Sequence, residues 1–315
     1  MIKKKTKTIL RNPLSDQNLS RYIHNATSDN TRRAYRQDIL HFEAWGGMLP
    51  CDSKTVIQYL HDHAEALSAR TLQRRLVALR QFHTYQGFAD PTEHPAVQKT
   101  MTGILNTHGK PRAKAPAMRL EQLEHCLESW EPIDQLKDAR DQAILCVGFF
   151  GALRGSEILG MRFDDVSWQE QGITVVIPRS KTDQSGEGQQ CALPVLHKVV
   201  CPVKALKNWI TVSGIESGFL FRSIRSGQLK EYALSLMSLN TMIKREAVRC
   251  QFENADKYSS HSLRRGLATS ASAAGASFKS IMRQGRWRHE GTVLEYIEEG
   301  QQFQDNAVNS FYNSS

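Results

Sequence analysis

The 315-residue chain is poor in cysteine. Its six cysteines, at positions 51, 126, 146, 191, 201 and 250, include no CxxC pair. That pattern excludes a disulfide scaffold and a zinc ribbon, and it fits a reducing compartment. No stretch approaches ~18 consecutive apolar residues, so no membrane span is read. The basic start Met1-Ile-Lys-Lys-Lys-Thr-Lys is followed by Asn12-Pro13 and Ser15-Asp16 rather than by an apolar core. A secretory signal is therefore not expected, and a cytoplasmic location is. With only 10 Pro and 20 Gly, 40% apolar and 23% charged residues, the composition is neither disordered nor fibrous. There is no P-loop and no dinucleotide fingerprint. His61 and His63 stand two apart on a predicted helix and cannot share a face as metal ligands. Neither a cofactor nor a metal site is expected.

What the chain does have is an uneven charge. Residues 1–117 carry 18 Lys/Arg and 9 Asp/Glu, and the remaining 198 residues carry 23 of each, so the whole formal excess of +9 lies in the first third. Such asymmetry points to a nucleic acid or another anionic surface. Beyond a basic tail over residues 1–14, helical periodicity predicts four amphipathic helices within residues 15–108. The first runs from a cap at Asn30 or Thr31 to Trp45, with Tyr35, Ile39, Phe42 and Trp45 on one stripe. The second follows Asp52/Ser53. The third is capped by Ser68 and carries Leu72, Leu76, Leu79 and Phe82. The fourth spans about Pro95 to Asn106. Together they predict a helical bundle. On the third helix Arg70, Arg74, Arg75 and Arg80 lie mostly off the apolar stripe, with no acid between Ser68 and Ala89. A solvated face would look this way, and so would a face that meets phosphates. Residues 109–117, with Lys110, Arg112 and Lys114 between two prolines, read as an extended linker suited to lie along nucleic acid.

Residues 118–315 predict a mostly α domain with one small sheet. Helices are expected at 119–130, 134–150, 202–212, 234–251, 262–274, 278–284 and 291–297. Strands are expected at Gly172–Pro178 and Gln190–Val195. Three segments in this domain suggest chemistry. They are Gly151-Ala-Leu-Arg-Gly-Ser-Glu157, His261-Ser-Leu-Arg-Arg265 and Gly285-Arg-Trp-Arg-His289 followed by Val293-Leu-Glu-Tyr-Ile297. Each taken singly has a structural account. Arg154 can pair with Glu157, His261 can cap a helix, and Tyr296 can be a half-buried aromatic.

Taken together, the segments resemble the tyrosine recombinase (phage integrase) family. Ala152-Leu-Arg-Gly-Ser-Glu157 matches the family's first arginine motif without a break. His261 and Arg264 match its H-x-x-R. Trp287 stands nine residues before Tyr296, at the spacing of the family's His or Trp from its nucleophilic tyrosine. The match by motif covers about residues 150–297, and by layout nearly the whole chain. The resemblance implies an N-terminal SAM-like core-binding bundle and a mixed α+β catalytic domain. It also implies a partner in double-stranded DNA, accessory DNA-bending proteins, and four protomers on paired sites. Its activity would be site-specific strand exchange through a 3′-phosphotyrosyl intermediate, as in an integrase of a mobile element.

The residue types suit that chemistry. Arginine grips phosphate oxygens with a planar fork and keeps its proton, so Arg154 and Arg264 can stabilise the charge that develops there. Tyr296 as nucleophile stores the bond energy in a covalent link. The departing 5′-oxygen needs a proton, which the family takes from a hairpin lysine. Lys181, between the predicted strand and the Asp183–Gly188 turn, fits that place, as a plain turn lysine also would, and Arg179 is its rival. His261 would support the transition state by hydrogen bonding or proton transfer. Trp287 would donate its indole N–H and pack on the tyrosine helix. Glu157 would orient Arg154 or His261, and Arg265 would pack or bind phosphate. Tyr312, near the C-terminus, is the alternative nucleophile. Residues 298–315 carry apolar positions at helical spacing that would dock on a neighbouring protomer or on their own domain. Two rival functions share these features: a type IB topoisomerase-like relaxing enzyme, and a DNA-binding accessory protein that has lost catalysis.

Overall fold

A computed structural model describes residues 27–111, 114–177, 188–301 and 308. The chain divides into two compact units, residues 1–112 and 113–315.

The first unit holds helices α1 (Asp29–Trp45), α2 (Ser53–His63), α3 (Ala69–Gln86) and α4 (Pro95–His108). Side chains start all four of them, His94 accepting the Ala96 N–H at 3.2 Å ahead of α4. Ser28, Asp52 and Ser68 each accept the backbone N–H three residues on, satisfying a donor that the first helical turn leaves unpaired. The cap of α1 is thus Ser28, two or three residues ahead of the predicted Asn30 or Thr31. The apolar stripes read in the sequence meet in one core of Phe42, Val56, Tyr59, Leu60, Leu72, Leu76, Leu79, Val97, Met101 and Ile104. Each such side chain contributes about 1.5–3 kcal/mol when withdrawn from water.

The second unit is mostly helical. Its elements are α5 (Leu120–Glu128), α6 (Gln135–Phe150), α7 (Gly155–Gly160), β1 (Val166–Gln169), β2 (Gly172–Ile177), β3 (Gln189–Pro194), α8 (Pro202–Ser213), β4 (Arg222–Arg225), β5 (Gln228–Ala233), α9 (Leu236–Arg249), α10 (Ser260–Ala273), α11 (Phe278–Gly285) and α12 (Glu290–Gln301). Helix α6 is buried along Ala143–Phe149, and its side chains share a core with residues of α8, α9 and α10. Strands β1, β2 and β3 form an antiparallel sheet in that order, with Ile173 opposite Leu193 and Val175 opposite Cys191. The alternation on β2 turns Ile173, Val175 and Ile177 into the core.

The predicted single sheet is two. Besides β1–β3, strands β4 and β5 pair as an antiparallel hairpin. Its turn, Ser226-Gly227, has both residues at positive φ, the geometry that matches strand twist in a tight hairpin. Strand β1, four largely exposed residues, was also absent from the prediction. The linker's end enters this unit against α10. The Met118 N–H donates to the Ser262 carbonyl at 3.0 Å. A Cβ on Gly266 would fall 1.7 Å from the Met118 carbonyl oxygen, so only glycine admits the chain there. No helix among the described residues is long and apolar enough to cross a membrane.

Candidate active site

Buried helix α6 ends in a tight turn, Gly151-Ala152-Leu153. Ala152 takes φ 44°, a left-handed conformation unusual for a residue with a side chain. The turn delivers Arg154 to the start of α7. Glu157, one turn on, closes back: one carboxylate oxygen accepts the Arg154 backbone N–H at 3.0 Å, and the other accepts its Nη1 at 2.6 Å. Burial would push the Glu157 carboxyl up. The Arg154 amide bond and the Arg286 and Arg154 cations outweigh burial and hold it below its ordinary value. Glu157 therefore holds Arg154 by both its backbone and its side chain. Glu157 also pairs with Arg286, whose Nη2 lies 3.1 Å from the carboxylate oxygen that accepts the Arg154 amide.

Helix α10 brings the second arginine. Arg264 is 4% exposed and donates to the carbonyls of Ala152 and Gly285, the latter at 2.6 Å. Its guanidinium also lies 4.3 Å from the centre of the Trp287 ring. Burial, with Arg154 beside it, pulls Arg264 down to about 9, which leaves it a cation at neutral pH. His261 occupies the first turn of the same helix, three residues earlier and exposed, while the helix is capped at Ser259.

Trp287 and Tyr296 share a small core with Ala268, Ile281 and Val293. Their ring centres are 6.2 Å apart in an edge-on arrangement. A Cβ on Gly285 would fall 1.7 Å from the indole, so glycine there lets Trp287 fold back. Tyr296 is half-buried on α12. Its ring faces the Arg265 guanidinium at 5.2 Å, and its carbonyl accepts the Thr269 hydroxyl at 3.1 Å. Arg265 also donates to the Ala115 carbonyl, and Lys114 pairs with Glu295, so the linker's end is fastened beside the tyrosine helix.

The structure thus brings Arg154, Glu157, Arg264, Trp287 and Tyr296 together, with His261 on the face of α10 one turn from Arg264. Lys181 and Arg179 lie outside the described residues, as does Tyr312. The sequence reading missed Arg286, Arg265's contact with Tyr296 and the Thr269 bond. Arg286 stood inside a quoted segment, but no spacing rule marks a charge between Gly285 and Trp287. Among the described residues no group of three His, Cys, Asp or Glu side chains is gathered to hold a metal.

The arginines of α3 have unequal fates. The acid-free face read from the sequence does not survive folding, because other segments supply the acids. Asp38 on α1 accepts both arms of Arg74, at 2.7 and 2.8 Å. Arg80 pairs with Glu93 at 3.0 Å and lies 3.4 Å from Asp90. Arg75 is 8% exposed and points inward, donating to the Tyr59 hydroxyl at 2.8 Å beside Asp38 and His41. Arg70 is exposed, with no acidic partner among the described residues. Lys110 is exposed too, and Arg112 lies outside the described residues.

Comparison with known proteins matches the sequence to a family. The model of the phage integrase family matches residues 116–302, and the model of the phage integrase N-terminal SAM-like domain matches residues 19–86. An integrase/recombinase xerD homolog from Selenomonas ruminantium is 34% identical over 304 residues, covering 93% of this chain and 88% of its own. The recombinase cre of Escherichia phage P1 is 28% identical, covering 80% of this chain and 77% of its own. Among solved structures, the XerH site-specific recombinase bound to a palindromic difH substrate superposes with a TM-score of 0.66 at 18% identity, over 89% of this chain and 79% of that one. A lambda integrase dimer bound to a core site gives 0.62 at 13% identity, over 91% and 96%. At those identities the structural likeness is one of fold. The sequence matches carry the family: this chain belongs to the phage integrase family, the site-specific tyrosine recombinases.

Proposed function

We propose that the chain recombines double-stranded DNA for a mobile element, with four protomers acting on two paired sites. The supporting observation is the gathering of Arg154 with Arg264, Trp287 and Tyr296, which lie 110 or more residues later in the sequence. In this reading the Tyr296 oxygen attacks the scissile phosphorus while the bond to the 5′-oxygen breaks. The products are a 3′-phosphotyrosyl link and a free 5′-hydroxyl. Arg154 and Arg264 stabilise the non-bridging oxygens, Trp287 donates its N–H to one of them, and His261 supports the same charge. Attack by a 5′-hydroxyl of the partner duplex then releases Tyr296, and the stored bond energy drives rejoining. Residues 298–315 join neighbouring protomers.

The test begins with selection of a preferred duplex from random sequence. A nicked suicide version of that duplex should trap a covalent adduct with the wild-type chain. Plasmids carrying two copies of the duplex should then recombine. Relaxation of a plasmid lacking the duplex would favour a topoisomerase-like enzyme, and binding without adduct an inactive accessory protein.

DNA contact by the first unit should divide its arginines. Arg70→Ala should leave thermal stability unchanged and reduce the salt slope of DNA binding by about one unit. Arg75→Met should instead destabilise the unit by about 1–3 kcal/mol, because it leaves the buried Asp38 and Tyr59 short of a donor. Calorimetry and titrations at several salt concentrations separate the two.

Lys181 is proposed as the acid that protonates the leaving oxygen. Lys181→Ala should be crippled on an ordinary phosphodiester and restored toward wild type on a 5′-bridging phosphorothioate, whose leaving group barely needs a proton. Arg154→Ala should gain much less. Equal loss of Lys181→Ala on both substrates would pass the acid's role to Arg179 or to a water held by His261.

A further inference from the structure

Arg286 is a large cationic side chain in two unfavourable settings at once. Its backbone lies at φ 53°, in the left-handed region, and its side chain is 8% exposed. Its contacts explain why it is held there. Nη1 and Nη2 both donate to the Gly151 carbonyl at 3.2 Å. Nη1 also donates to the Gln284 carbonyl at 2.8 Å, and Nη2 to a Glu157 oxygen at 3.1 Å. Both terminal nitrogens are thus committed. The remaining Nε is buried with no partner among the described residues, so the guanidinium has no free fork to offer a phosphate.

The partners of Arg286 are the parts that carry Arg154. Gly151 opens the turn that delivers Arg154, and Glu157 grips the Arg154 side chain. Arg264 makes the complementary stitch, bonding Ala152 in that turn and Gly285 beside Arg286. Two buried guanidinia therefore join the turn ahead of Arg154 to the turn ahead of Trp287.

We propose that Arg286 is a positioning residue for strand cleavage: by holding the Glu157 carboxylate and the Gly151 turn, it fixes the Arg154 guanidinium where the scissile phosphate must sit. This rests on reading Arg154 as a phosphate-binding residue. The charged and titratable groups facing Glu157 are Arg154 on its own helix, Arg286 beyond α11, Arg264 on α10 and the Cys191 thiol of β3. Without Arg286 the buried carboxylate keeps fewer cations, so it takes up a proton at a higher pH than in the wild type. A protonated Glu157 grips Arg154 less firmly.

The experiment uses the full chain and a suicide duplex. Arg286→Gly removes the guanidinium while suiting the left-handed backbone, and Arg286→Lys keeps a charge without the fork. Single-turnover cleavage, duplex affinity and thermal midpoint are measured from about pH 5.5 to about pH 8.5. Arg286→Gly should cleave about 10²-fold more slowly with near-normal affinity, as small misplacements of a reacting group do. Its rate should fall more steeply toward acid pH than the wild-type rate does, and Arg286→Lys should recover part of both. Adding Glu157→Gln to Arg286→Gly should abolish that extra steepness. Cleavage by Arg286→Gly within about twofold of wild type and with an unchanged pH profile would overturn the proposal. So would losses of affinity and thermal midpoint that match the loss of cleavage at every pH. Arg154→Ala is run alongside. Normal cleavage by that control would remove the underlying reading of Arg154, whereas a crippled control beside an active Arg286→Gly would sink this inference alone.

Discussion

Tyr296→Phe should form no covalent adduct with DNA while binding duplex as the wild type does. The substitution removes one hydroxyl and keeps the ring. The edge-on contact with Trp287 at 6.2 Å and the Arg265 guanidinium at 5.2 Å both act on the ring, so the local packing survives. The Thr269 bond goes to the backbone carbonyl and is indifferent to the change. Stability should move by about 0.5 kcal/mol or less, as for substitutions that disturb neither packing nor buried polar groups. Chemistry should fall below detection, because phenylalanine offers no oxygen to attack phosphorus. Denaturing gels of a radiolabelled suicide duplex and a parallel gel-shift titration give the two readouts. An adduct formed by Tyr296→Phe would move the nucleophile elsewhere, first to Tyr312.

Arg264→Ala should have the next largest effect, and it should act twice. Cleavage should drop by about 10²–10³, the usual cost of deleting one donor to a developing oxyanion. The fold should suffer as well. Arg264 is the donor to the carbonyls of Ala152 and Gly285, and each buried carbonyl left without a donor costs about 1–3 kcal/mol. Arg264→Lys separates the two effects. A lysine restores charge to the site but cannot bond two carbonyls and stack on Trp287 with one planar group. It should recover thermal stability in part while cleavage stays depressed. Full cleavage by Arg264→Lys would mean that charge alone matters and that the fork geometry does not.

The sequence revealed features governed by short spacing. The caps at Asp52 and Ser68 and the apolar stripes of α1–α4 depend on neighbours three or four residues away, and the fold keeps them. So does the pairing of Arg154 with Glu157. Features set by distant partners were hidden. Nothing within α3 tells that Asp38, 36 residues before Arg74, will neutralise it, or that Arg75 will turn inward to Tyr59. Arg286 meets Glu157 across 129 residues, and no periodicity records such a contact. Strands β1 and β4 were lost for another reason: each is four residues long and leaves its residues half-buried or exposed, so the apolar alternation that marks a strand is too short to read.

The seating of the linker's end has a consequence for the order in which the protein is made. Ala115 and Met118 leave the ribosome early, but the groups that hold them, Arg265 and Ser262, lie up to 150 residues later. At about 5–20 residues per second, roughly 7–30 seconds pass before α10 exists to receive them. The helical unit meets its long-range partners much sooner, since Arg74 follows Asp38 by 36 residues. During synthesis the first unit therefore has every element of its core available while the start of the second still waits. Helix α12 is translated later still, so the arginines that would stabilise a cleaved phosphate are synthesised before the tyrosine that would attack it.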